Sequence, residues 1–243
     1  MSKYYQATNV GKVRKQNEDS IAVIEPETYV VADGMGGQAA GEIASQMLIE
    51  IVTQNLKSTP LDWNEETLKT AIIKANEAIY QKAQEHLDYQ GMGTTATILH
   101  VAKPIESQPN LITQTAYYAH VGDSRLYKLE NGILRQITQD HSYVEDLVRR
   151  GEITEAEARV HPLKNVLTQA VGAVSEVKVD TGRFKVKSGD IFLLCTDGLT
   201  NMVDDKEIAK ILCSTKNPAD DLINAALDHG GRDNISVIVL GIL

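Results

Sequence analysis

The chain has 243 residues, of which 42% are hydrophobic, and its 24 Lys and Arg against 33 Asp and Glu give a net charge of −9. A chain of this length forms one large or two small domains, closes a core without disulfides and is too apolar to be disordered. The longest apolar run, residues 235–243, is far shorter than the ~20 residues of a membrane helix, and the first residues show no secretory signal pattern. We therefore expect a cytoplasmic protein with free thiols at Cys195 and Cys213, no membrane partner and, given its acidity, no nucleic-acid partner.

The first half of the chain predicts strands, then two helices, then more strands. Apolar runs at residues 20–25 and 28–32 indicate short strands. Stripes at helical spacing between residues 44 and 56 and between residues 68 and 79 predict two long helices, with Asn64 as an N-cap of the second. Strands are expected at residues 94–101 and 115–121.

The second half begins with a hairpin of residues 126–129 and 133–137, which turns at Asn131-Gly132. Residues 142–164 are polar and helical, with one helix ending at residues 149–151. Strands follow at residues 177–186 and 191–195, then helices at 205–213 and 218–228 and a last strand at 235–240. The strands do not alternate singly with helices, so antiparallel sheets covered by helices are expected in one domain.

Four aspartates adjoin hydrophobic strands in this pattern. Asp33, Asp123 and Asp197 each follow the end of a strand, whereas Asp233 comes just before one. If neighbouring strands are antiparallel, these ends and this start share one edge of the sheet. Any single Asp-Gly is typical of a turn, but four carboxylates beside Gly or Asn at one edge indicate a site.

Such a cluster needs positive charge. Two carboxylates ~4 Å apart repel by about 4 kcal/mol at an effective dielectric of 20. Four of them therefore require a cation or raised pKa values. An all-oxygen donor set favours Mg²⁺ or Mn²⁺ over zinc, and two such ions sharing a carboxylate would activate a water and neutralise phosphoryl oxygens.

The N-terminal segment of residues 13–19 supplies complementary groups. The guanidinium of Arg14 is suited to a bidentate grip on phosphate. Glu18 and Asp19 can hold waters bound to the metals. Taken without context, this run is more typical of a solvated loop than of a functional segment.

With these motifs on view, the chain resembles the bacterial metal-dependent Ser/Thr protein phosphatases of type 2C, the PPM family, over essentially its full length. Eight motifs carry the resemblance in the family's order: VRKQNED (13–19), VADGMGG (31–37), GE (41–42), MGTT (92–95), HVGDSR (120–125), DHS (140–142), CTDGL (195–199) and GRDN (231–234).

The resemblance implies an α+β fold, a four-layer αββα sandwich of two antiparallel sheets flanked by helices, with a mobile flap at about residues 146–164. It implies that Asp33 bridges two ions of Mn²⁺ or Mg²⁺, that the Gly34 carbonyl binds one of them, and that Asp197 and Asp233 complete the other. Asp123 would help to hold a third, looser ion. Arg14 would bind the substrate phosphate, and Glu18 and Asp19 would act through water.

The implied activity is hydrolysis of phosphoserine and phosphothreonine in proteins by a water that bridges two divalent ions, with no covalent phosphoenzyme. The family's habit suggests partners among the substrates of a Ser/Thr kinase and the kinase itself. Two positions depart from the family's pattern: Met35 stands where eukaryotic relatives have a histidine proposed as general acid, and Gln38 stands where many bacterial members have one. A Gln side chain cannot donate a proton as an acid. The leaving-group proton must therefore come from a metal-bound water or another residue, or departure must depend mainly on the charge of the metals.

Two other interpretations of the sequence compete with this one. Residues 34–39 fit the glycine pattern of a dinucleotide-binding turn, but a second helix rather than a strand follows, and Asp33 would repel a pyrophosphate. A non-catalytic phosphoprotein-binding pseudophosphatase of the same fold stays open as the alternative, although every acidic candidate and Arg14 are present.

Overall fold

The computed structural model describes residues 2–37, 40–60, 62–103 and 114–243. Gln38, singled out above, lies outside these residues. Within them the strands are β1 (Ser2–Asn9), β2 (Asp19–Ile24), β3 (Thr28–Met35), β4 (Gly93–Thr94), β5 (Ala96–Val101), β6 (Gln114–Val121), β7 (Arg125–Glu130), β8 (Ile133–Gln136), β9 (Asp180–Val186), β10 (Ile191–Cys195) and β11 (Ile235–Ile242). The helices are α1 (Ala40–Lys57), α2 (Glu65–Glu85), α3 (Tyr143–Arg149), α4 (Glu155–Val160), α5 (Asp197–Thr200), α6 (Asp205–Ser214) and α7 (Pro218–Asp228).

The strands form two antiparallel sheets. One has the order β1-β11-β10-β7-β8, and the other has the order β2-β3-β5-β6-β9, with β4 added against β3. Three hydrophobic clusters separate four layers. Leu99, Phe192 and Leu240 belong to the cluster between the sheets, α1 and α2 cover the second sheet, and α5 to α7 cover the first. The expected αββα sandwich is confirmed.

The helix stripes read from the sequence face the core. Leu48 and Val52 of α1 and Ile72 and Ile79 of α2 are fully buried. Asn64 caps α2 as predicted, because its side chain accepts from the backbone N–H groups of the second and third helical residues.

The predicted hairpin joins β7 to β8, and Asn131 and Gly132 have φ values of 53° and 76° as its turn requires. The strand predicted over residues 177–186 begins only at Asp180, since Val177 and Val179 pack against the helical layer instead of pairing. The strand predicted over residues 94–101 is interrupted at Thr95.

Strand β1 was absent from the sequence-based prediction. It pairs along its whole length with β11, from Ser2 against Ile242 to Asn9 against Ile235. Its exposed edge position leaves its residues partly polar, which hides it from a hydrophobicity pattern. Because β1 ends opposite the start of β11, residues 10–18 follow it at the end of the sheet where Asp233 lies. Among the described residues, no helix is long and apolar enough to cross a membrane.

Candidate metal centre and active site

Asp33 lies near the end of β3, the strand next to the edge strand β2 of the second sheet, and pairs directly opposite Asp19 of β2. Its backbone is fixed by Thr95 on both sides. The Asp33 N–H donates to Thr95 Oγ1 at 2.8 Å, and the Thr95 N–H donates to the Asp33 carbonyl at 2.8 Å. The interruption of the predicted strand at Thr95 therefore serves to hold Asp33.

Gly34 sits where the first helix and the N-terminal loop approach β3 most closely. A Cβ atom here would lie 2.0 Å from the carbonyl oxygen of Gly41 and 2.6 Å from that of Glu18. No other residue fits without moving the backbone. The Gly34 N–H donates to the Glu18 carbonyl at 3.1 Å, so the loop, the strand and the start of α1 are locked together.

Asp197 and Asp233 lie next to β10 and β11, which are neighbouring antiparallel strands of the first sheet. Asp197 begins α5 just after β10, and Asp233 precedes β11 by one residue, so both reach the same end of the sheet. Asn201 Nδ2 donates to Asp197 Oδ2 at 2.8 Å. Gly198 lies so close to the next strand that a Cβ would be 1.9 Å from the carbonyl oxygen of Asn234.

The carboxyl groups converge at this end of the two sheets. The pKa of Asp33 is raised well above its usual range by burial and by the charges of Asp19, Asp197, Asp123 and Asp233. Burial and the Asp197 charge likewise raise the pKa of Asp123, and burial with the Asp233 charge raises the pKa of Asp197 to about 6. These raised pKa values mean that the ionised carboxylates are unfavourable together unless positive charge lies among them.

Asp19 carries an unfulfilled polar atom. Thr196 Oγ1 donates to Asp19 Oδ2 at 2.9 Å, but Asp19 Oδ1 is buried and accepts no hydrogen bond from the described residues. Burial raises the pKa of Asp19 to about 7. A buried acceptor without a donor is costly, and its position among the other aspartates suits a water held by a cation.

Arg14 is half exposed on the rim, and its Nη2 donates to Asp233 Oδ2 at 2.8 Å. Asn234, to which the sequence analysis gave no role, fixes the loop that carries Arg14. Its Nδ2 donates to the carbonyls of Val10 at 3.0 Å and Gln16 at 2.9 Å, and its Oδ1 accepts from the Glu18 N–H at 2.8 Å. The only signal in the sequence was an amide side chain next to Asp233.

The donor set fits hard divalent cations such as Mg²⁺ or Mn²⁺. It contains carboxylates, the Gly34 carbonyl and the free Asp19 Oδ1, with only oxygen atoms offered. Among the described residues, no three Asp, Glu, His or Cys side chains are already arranged to hold a metal ion. Arg14 donates a hydrogen bond to one oxygen of Asp233, and Asn201 donates one to an oxygen of Asp197. A cation can bind these two oxygens only if the hydrogen bonds are broken.

A cavity of about 460 Å³ opens beside this end of the sheets. Asp123 and Asp197 line one side, and Val148 of α3 and Arg159 of α4 line the other. The segment at about residues 146–164 thus forms a wall of a space large enough for part of a peptide.

Known proteins that resemble this chain are protein phosphatases. A sequence model described as protein phosphatase 2C matches residues 12–230. The serine/threonine phosphatase stp of Listeria monocytogenes is 39% identical over 244 residues, which cover 96% of this chain and 93% of that protein. Protein phosphatase PhpP of Streptococcus pneumoniae is 37% identical, with 96% and 94% covered.

Solved structures agree over the whole length. The serine/threonine phosphatase PstP/Ppp of Mycobacterium tuberculosis superposes with a TM-score of 0.88 at 35% identity, covering 99% of this chain and 98% of that one. The PstP catalytic domain in complex with two manganese ions gives 0.87 at 34% identity, with 99% and 97% covered. Stp1 of Staphylococcus aureus gives 0.91 at 33% identity, with 100% and 96% covered. This chain belongs to the protein phosphatase 2C family.

Proposed function

We propose that this protein is a metal-dependent protein phosphatase that hydrolyses phosphoserine and phosphothreonine. The observation that carries the proposal is the convergence of Asp33, Asp123, Asp197 and Asp233 at one end of both sheets, beneath Arg14, where burial and neighbouring negative charges raise the pKa values of Asp33, Asp123 and Asp197. The names of the relatives and the two manganese ions of the PstP structure support the same activity.

We assign the residues as follows. Asp33 and the Gly34 carbonyl would hold one ion, and Asp33, Asp197 and Asp233 would hold the other. Asp123 would share a third, looser ion with Asp197, while Glu18 and Asp19 would bind through water. When bound, the Mn²⁺ or Mg²⁺ ions neutralise phosphoryl charge and lower the pKa of water enough to supply a nucleophile at neutral pH.

Arg14 binds the phosphate of the substrate in this proposal. Its side chain is 50% exposed and is held by the Asn234-bound loop, with Asp233 as its carboxylate partner among the described residues. A phosphate dianion offers the guanidinium two oxygens in one plane, which a single carboxylate oxygen does not. Arg14 would therefore exchange Asp233 for the substrate phosphate, which would leave the Asp233 carboxylate free to hold a cation.

The chain is proposed to be one catalytic domain over residues 1–243, with the segment at about residues 146–164 as a flap that contacts the phosphoprotein. Its substrates are phosphoproteins, and we propose that they include those of a Ser/Thr kinase and the kinase itself. The absence of long apolar segments from the sequence supports a cytoplasmic location.

The test is hydrolysis of matched phosphoserine, phosphothreonine and phosphotyrosine peptides by the purified protein. We expect release of phosphate from the first two with Mn²⁺ or Mg²⁺ and loss of activity with excess chelator, restored by adding the metal back. Full activity in chelator would rule out the metal mechanism. Binding of the phosphopeptides without any turnover would favour the pseudophosphatase alternative.

A further inference from the structure

The residues that precede the flap are fastened to the loop that carries Asp123. His120 Nε2 donates to the Gln139 carbonyl at 3.1 Å. Arg125 donates from Nη2 and Nε to the Asp140 carboxylate at 2.7 Å and 2.9 Å, and both side chains are largely buried. Residues 139–140 are therefore anchored on either side of Asp123.

His141 is the next residue, and it meets the same loop with both backbone and side chain. Its N–H donates to the Gly122 carbonyl at 2.7 Å, and the Gly122 N–H donates back to His141 Nδ1 at 3.2 Å. His141 Nε2 lies 3.2 Å from Asp180 Oδ2, and the side chain is only 11% exposed.

These partners select one tautomer. An imidazole nitrogen that accepts from a backbone N–H carries no proton, so the ring proton resides on Nε2 and is donated to Asp180. Asp180 begins β9 and is held in place by the sheet, where it pairs opposite His120. The Asp180 carboxylate thus orients the ring so that Nδ1 faces Gly122.

Gly122 has no freedom to find another partner. It is buried, its φ is 105°, and a Cβ atom would lie 2.6 Å from Thr95 Cγ2. A buried N–H that loses its acceptor costs free energy, and that cost is relieved only if the backbone at Gly122 shifts. Because Asp123 follows directly, a shift of the backbone at Gly122 moves the carboxylate.

The His141 carbonyl contacts the chain segment that follows the flap. The Thr168 N–H donates to the His141 carbonyl at 2.8 Å, and the Tyr143 N–H donates to the Val166 carbonyl at 2.8 Å. The chain entering the flap and the chain leaving it are thus joined at His141, the same residue that contacts Gly122, and again at Tyr143.

From these contacts we propose that His141 is a positioning residue, which through its unprotonated Nδ1 sets the Gly122–Asp123 loop and through its backbone ties that loop to the base of the flap. The inference deepens the proposed function, since the group positioned is the carboxylate assigned to the third ion. It gives the contact between His141 and Asp180 a purpose beyond packing.

Two variants of equal polarity separate this role from packing. His141→Asn places an amide oxygen near the position of Nδ1 and keeps an acceptor for Gly122, whereas His141→Gln reaches toward Asp180 and loses that acceptor. We expect His141→Gln to raise the dissociation constant of the weakest-bound Mn²⁺, measured by calorimetry on the full chain, by about tenfold or more. His141→Asn should stay within about threefold of the unaltered protein. Equal effects of the two, or the reverse order, would overturn the proposal.

A spectroscopic measurement on the unaltered, metal-free protein tests the same point without activity. Nitrogen-15 spectra of the imidazoles should show His141 protonated at Nε2 alone, and the Gly122 amide should exchange slowly with solvent. A proton on Nδ1 would overturn the proposal even if neither variant folds. If the unaltered protein hydrolyses phosphopeptides and both results fail, this inference falls while the proposed function stands; a protein without any hydrolysis contradicts the function itself.

Discussion

Asp33→Asn is expected to lower phosphopeptide hydrolysis at least about a thousandfold while leaving the fold intact. Asp33 is assigned to both core ions, and the charge stabilisation that such ions supply is worth several kcal/mol, at about 1.4 kcal/mol for each tenfold in rate. The substitution also removes a carboxyl whose pKa is raised by burial and four neighbouring acids. The metal-free variant should therefore melt at or above the temperature of the metal-free unaltered protein near neutral pH.

A matched control for this substitution is Asp190, which lies at the end of β10 opposite to Asp197 and away from the site. Asp190 is also a buried aspartate, and it accepts from Lys128 Nζ at 2.9 Å and from the Lys187 N–H at 2.9 Å. Asp190→Asn should destabilise the fold but leave the rate per folded molecule unchanged. If Asp33→Asn retained more than a tenth of the activity, the ligand assignment would be wrong.

Gly198→Ala is expected to produce a large loss of both stability and metal affinity. The added Cβ would stand 1.9 Å from the Asn234 carbonyl oxygen, which belongs to backbone and cannot step aside. Overpacking of this kind costs about 1–3 kcal/mol and occasionally more. The strain would push Asp197 and Asp233, which flank the contact, away from each other.

Gly241→Ala on strand β11 is the control, since its Cβ would be 3.8 Å from the nearest described atom outside its chain neighbours, the Lys3 carbonyl oxygen. Thermal melting with and without Mn²⁺ measures both effects. We expect Gly198→Ala to lower the melting temperature and to shrink the gain that Mn²⁺ confers, whereas Gly241→Ala keeps that gain. A Gly198→Ala protein with the unaltered Mn²⁺ gain would contradict the close-contact account.

The fold was largely predictable because its layers are made of strongly patterned segments. The stripes of α1 and α2, the Asn131-Gly132 turn and the apolar strand before Asp197 each report local structure directly. Strand β1 was missed because its pairing with β11 joins residues more than 200 positions apart and leaves one edge in solvent. Such pairing leaves no local pattern.

The convergence of Asp33, Asp123, Asp197 and Asp233 was predictable from strand ends, while their roles as ligands stay a prediction. The residues that hold them were not predictable. Thr95, Thr196 and Asn234 act through hydrogen bonds to residues far away in the sequence, such as that from Asn234 to Gln16. A hydroxyl or an amide in a loop has many uses, and only the packed structure selects one.

The central claim is that these aspartates are held together to receive divalent cations. Isothermal titration of the chelator-treated protein with Mn²⁺ tests it most directly. We predict saturable uptake of at least two ions per chain, with protons released as carboxyl groups of raised pKa ionise; absence of any binding heat, or uptake unchanged in Asp33→Asn, would contradict the account.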